Sequence, residues 1–182
     1  MRITNEWLKE HSACVEGYKW SQTHENRELG PFIKALLDAD HWPWANWVVV
    51  RCMNKKQNVQ YAVFAAEQVI EIFERKYPDD KRPRQAIEAA RAYIDNPCAK
   101  TKAYASAAYA AASASAASAA YAAASAAYAA AYAAAADAYA AAVYAADAAA
   151  SAYAAYAAKN TLRLKILNYG LELLKEGDHG KA

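Results

Sequence analysis

Ala103–Ala158 reads AYASAAYAAASASAASAAYAAASAAYAAAYAAAADAYAAAVYAADAAASAYAAYAA, which is 38 Ala, nine Tyr, six Ser, two Asp and one Val. Alanine is the best helix former and is depleted in strands, so this third of the chain is predicted to be helical. It contains no His, Cys, Lys, Arg or Glu, the side chains on which most enzyme sites depend. As one helix it would run about 84 Å at 1.5 Å per residue. A compact domain of this length is only about 40 Å across, so the tract should break. At 100° per residue Tyr121, Tyr128, Tyr132 and Tyr139 fall within about 40° of one another, beside a sector of Ser and Asp. Tyr104, Ser106, Tyr109 and Ser113 are out of phase with that stripe. A break near Ser113–Ser115 follows, then a helix that keeps its phase past Tyr139. A second break falls somewhere before Lys159.

Outward from the tract the signals stay helical. Val59, Ala62, Val63, Ala66, Val69, Ile70 and Phe73 repeat with a helical period, opposite Gln60, Glu67, Gln68, Glu71, Glu74 and Arg75. This predicts one amphipathic helix ending at Tyr77-Pro78, because the residue before proline is pushed out of the helical region. Pro31, Pro43 and Pro83 each open a further helix. Short helices are expected around Trp7–Leu8 and Cys14–Trp20. Leu162, Leu164, Ile166, Leu167, Leu171, Leu173 and Leu174 nearly encircle a closing helix over Thr161–Lys175, which should therefore be largely buried. The expected architecture is all-α: one multi-helix bundle over residues 1–176. Its amphipathic helices occupy 1–102, its Ala/Tyr-rich helices 103–158 and its Leu-rich helix 159–176, with a disordered tail at 177–182.

Charge and cysteine usage narrow the function. The net charge is +2, and residues 103–158 have two acidic groups and no basic one, unlike a duplex-binding domain. Cys14, Cys52 and Cys98 are odd in number and widely spaced, which suits free thiols in a reducing cytoplasm rather than a disulfide framework. The Met1–Glu6 start shows no leader pattern. The alanine tract lacks the Leu, Ile and Phe that membrane insertion needs, so neither a leader nor a span is expected.

Each candidate for chemistry has a plainer explanation. His11 and Cys14 with His24 nearby suggest zinc, but a third and fourth ligand at a usable spacing are missing. His41 has no nucleophile motif beside it. Glu67, Glu71 and Glu74 look like a solvated helix face beside Arg75 and Lys76. An ice-binding face would need repeated Thr, and only Thr101 and Thr161 flank the tract. No cofactor motif is present. Trp42, Trp44 and Trp47 suit either a core or a binding hot spot, and Trp42 is carried forward as a partner-binding candidate. Arg51 on the same face should snorkel, or meet Glu88 or Asp38. Tyr121, Tyr128, Tyr132 and Tyr139 either point inward against the helices of Trp44–Met53 and Val59–Phe73 or form an outward partner surface.

The runs Trp44-Ala45-Asn46-Trp47, Tyr61–Val69 and Phe73–Arg91 resemble an alanine-rich family labelled putative immunity proteins in bacterial and phage genomes. That resemblance implies an all-helical, non-enzymatic protein that neutralises a toxin by binding it. The competing expectation is a phage counter-defence protein that binds a host immune complex or captures a signalling nucleotide. Nucleotide capture would need convergent cations, and the dense run Lys81-Arg82-Pro83-Arg84 sits beside Asp79-Asp80. The expected partner is a protein, a toxin or a host defence protein, and the expected location is cytoplasmic. Self-association stays open.

Overall fold

The computed structural model describes residues 1–112, 129–130, 132–133, 138–151 and 156–179, with ten helices and no strand among them. An isolated backbone bridge joins Arg2 and Glu28. The expected all-α class is therefore correct. The chain divides into two compact units, Met1–Arg51 and Cys52–Ala182.

In the first unit, α1 (Asn5–Glu10), α2 (Val15–Gln22), α3 (Leu29–Asp38) and α4 (Trp42–Cys52) follow in short steps. The Thr4 hydroxyl accepts the Trp7 N–H at 3.1 Å and starts α1. Cys14 sulfur accepts the Gly17 N–H at 3.3 Å and starts α2. Two helices end in the same way. Ser12 at φ 58° and Asp40 at φ 56° occupy the left-handed position just beyond α1 and α3. The following N–H of Ala13 reaches Leu8 O and that of His41 reaches Leu36 O, both at 2.8 Å, closing six-to-one Schellman turns.

In the second unit, α5 (Lys55–Glu67) is the central helix. It packs against α6 (Ile70–Lys76), α7 (Arg82–Asp95), α9 (Ala138–Ser151) and α10 (Tyr156–His179), while α8 (Ala99–Ala112) packs on α7. A reciprocal capping box opens α5: Asn54 Oδ1 accepts the Gln57 N–H and Gln57 Oε1 accepts the Asn54 N–H, each at 2.9 Å. The Gln57 amide also donates to Leu173 O at 2.6 Å, tying the start of α5 to α10. Ala62, Ala65 and Ala66 on α5 and Ala142, Ala145, Ala146 and Ala149 on α9 are fully buried. Side chains this small let helix axes close toward about 8 Å. Tyr61, also fully buried, supplies volume between them; burial and then the Asp147 carboxylate push its phenol up.

Three expectations need correction. The amphipathic helix is two helices, broken at Gln68–Val69. There the Gln68 side-chain amide donates to Phe64 O at 3.1 Å, and the Val69 N–H turns to Ala66 O in a tighter i→i−3 bond. Adjacent β-branched Val69 and Ile70 favour the break, because their χ1 freedom is lost in a helix. The closing helix extends from Tyr156 to His179, past Gly177 where a tail was expected. It buries one face rather than most of its circumference: Ile166 and Leu167 are fully buried while Leu164 is 46% exposed. The predicted break at Ser113–Ser115 lies outside the described residues.

Candidate functional site

The antiparallel packing of α5 against α7 and α10 leaves a cleft of about 210 Å³ on the side of α5 away from the alanine layer. Its floor is apolar. Phe64 of α5 stacks on Tyr169 of α10 with ring centroids 4.0 Å apart and planes 15° from parallel. Val63 and Ile94 flank that stack. Gln60, Glu67, Arg91 and Asp95 form the polar rim.

The rim has a defined charge order. Arg91 Nε donates to Glu67 Oε1 at 2.6 Å, joining α7 to the end of α5. Among the described residues Asp95 has neither an ion pair nor a hydrogen bond through its carboxylate. It is the last residue of α7, where the helix's terminal carbonyls add partial negative charge. The Tyr169 phenol is pushed up, first by partial burial and then by the Glu176 and Glu67 carboxylates, with Arg91 opposing and Glu172 adding least.

The other candidates are placed as follows. Trp42 is 3% exposed and belongs to the buried part of the first unit. Tyr132 is half-buried, whereas Tyr121 and Tyr128 and the side chain of Tyr139 lie outside the described residues. The Arg51 guanidinium sits over the Trp47 ring at 5.8 Å. Two histidines stack on tryptophans, His11 on Trp7 at 4.2 Å and His24 on Trp20 at 3.7 Å, and His41 lies tilted against Trp44 at 4.1 Å. His11 is thus drawn to Trp7, and Cys14 is a helix cap.

The basic run is held internally. Arg82 makes a two-pronged contact with Asp80, at 2.9 and 2.6 Å, and Arg84 grips Glu74 at 2.7 and 2.5 Å. Lys81 donates to Pro78 O at 2.6 Å. Glu67 and Glu74 are likewise committed to Arg91 and Arg84. Among the described residues no group of three or more His, Cys, Asp or Glu is placed to hold a metal ion. Nor is any helix among them long and apolar enough to cross a membrane.

The sequence reading missed the cleft, although one signal was present. Phe64 falls out of phase with the apolar stripe of α5 and lies toward the polar side with Gln60 and Glu67. A large aromatic there is either wasted surface or a second packing face.

Neither a curated protein nor a solved structure matches the chain. A family model described as Imm-5 like putative immunity protein matches residues 49–170, about two thirds of the chain. That span covers α5 through most of α10 and every residue lining the cleft. The chain belongs to the Imm-5 like putative immunity protein family.

Proposed function

We propose that the protein is a non-enzymatic, cytoplasmic immunity protein that neutralises a toxin by binding and occluding it. Family membership is the observation that carries this reading. The cleft supports it in kind. It offers an aromatic floor, an ion pair and an uncommitted carboxylate, which are means of holding a partner's surface. The competing nucleotide-capture reading lacks support, since Arg82 and Arg84 are engaged with Asp80 and Glu74.

Co-expression with candidate toxins, taken from the genes that neighbour its own, tests the proposal. Growth should be restored, and the two purified proteins should co-elute as a stoichiometric complex in which the toxin's active site is closed to substrate. Continued toxicity with both proteins expressed and soluble would refute it. Rescue accompanied by covalent change of the toxin would refute the occlusion mechanism.

A further inference from the structure

We propose that the cleft between α5, α7 and α10 is a socket for one cationic side chain, an arginine or lysine projecting from the partner protein. The inference rests on the reading above that the partner is a protein. Size comes first. At about 210 Å³ the cleft is smaller than the roughly 300–1,000 Å³ of pockets that enclose drug-sized ligands, and it has room for one long side chain. The walls match the two halves of such a side chain. Phe64, Tyr169, Val63 and Ile94 would cover its methylene stem, and an outer π-face of the ring stack, the electron-rich side, would attract the charge.

Charge selects the head group. Among the described residues the cleft's only lining cation, Arg91, is already paired with Glu67, so an incoming cation meets Asp95 without breaking that pair. The end of α7 and the carboxylates around Tyr169 reinforce the negative potential. An anionic group would be repelled there. A neutral apolar side chain would cover Asp95 and Gln60 without giving either a partner, which is unfavourable.

The test is a titration of the full-length ¹⁵N-labelled protein with Nα-acetyl-argininamide, read by amide chemical shifts. Nα-acetyl-lysinamide and the neutral isostere Nα-acetyl-citrullinamide are the comparison ligands. Shifts should concentrate in residues 60–67, 91–95 and 169. The citrulline compound should bind about tenfold more weakly, the combined effect of one ion pair and one cation–π contact at an exposed site. Asp95→Asn should remove most of that preference and leave the fold intact, since Asp95 is exposed. Asp79→Asn, which changes an exposed carboxylate outside the cleft, should leave the preference in place. Equal binding of the arginine and citrulline compounds, shifts scattered over all carboxylates, or an unaltered preference in Asp95→Asn would each overturn the inference. Cleft-centred, charge-selective binding supports it whether or not the toxin is neutralised. Neutralisation without such binding removes the socket and leaves the immunity reading standing.

Discussion

Ser12 and Asp40 each end a helix in the left-handed region, at φ 58° and 56°, where a Cβ crowds the following carbonyl. Glycine would remove that crowding, and at Asp40 it would also remove a negative charge from a helix C-terminus. Asp40→Gly should therefore raise the unfolding free energy by about 0.5–1 kcal/mol, whereas Asp40→Val should lower it by about 1–2 kcal/mol. Urea denaturation of the two variants checks this; a stabilising Val would show that the turn is not left-handed. The cysteines give a second residue-scale expectation. Hydrogen bonds from the backbone N–H and side chain of Thr101 hold the Cys98 thiol below its ordinary value, while burial pushes Cys52 up to about 12. Thiolate is the nucleophile, so at pH 8 Cys98 should react with iodoacetamide well before Cys52, which should stay unmodified until the chain unfolds. Peptide mass mapping over a time course distinguishes the two.

At the scale of elements, α6 and α7 are joined across the Tyr77–Lys81 turn by the Glu74–Arg84 pair. The Arg84 side chain holds the Glu74 carboxyl below its ordinary 4.5. A carboxyl depressed by folding contributes stability that is fully present above its unfolded value and is lost as pH falls through the lower, folded one. Both side chains are partly exposed, so solvent screening limits the pair to about 1 kcal/mol. Glu74→Gln should cost up to that amount at pH 7, and its difference from the parent should close as pH falls below 4.5. Chemical denaturation at pH 7, 5 and 3 follows the closure; a difference constant with pH would assign the effect to packing.

Across the whole molecule, the alanine tract acts as spacing material. Ala146 of α9 has no exposed surface, and α9 lies against α5. Ala146→Leu should separate the two helices and cost about 1–3 kcal/mol, since added methylenes force backbone shifts in a close-packed layer. Tyr144→Ala, on the same helix but 57% exposed, should stay within about 0.5 kcal/mol of the parent. If Ala146→Leu were neutral in thermal and chemical unfolding, the α5–α9 contact would be looser than alanine spacing implies.

Helix content, the proline-opened starts of α4 and α7 and the buried stripe of α5 were legible in the sequence, whereas α3 begins at Leu29, ahead of Gly30-Pro31. Each depends on local chemistry: alanine propensity, proline's fixed φ and the 3.6-residue period. The break at Gln68–Val69 was not legible, because a side-chain amide competing for Phe64 O leaves no Gly or Pro mark. Nor was the cleft. Phe64, Glu67, Arg91 and Tyr169 come from three helices, and Tyr169 lies more than a hundred residues beyond Phe64. Sequence periodicity assigns each residue to a face of its own helix and says nothing about which helix that face meets. Pairing Arg91 with Glu67 and stacking Phe64 on Tyr169 required the antiparallel docking of α7 and α10 on α5, and only tertiary packing decides that docking.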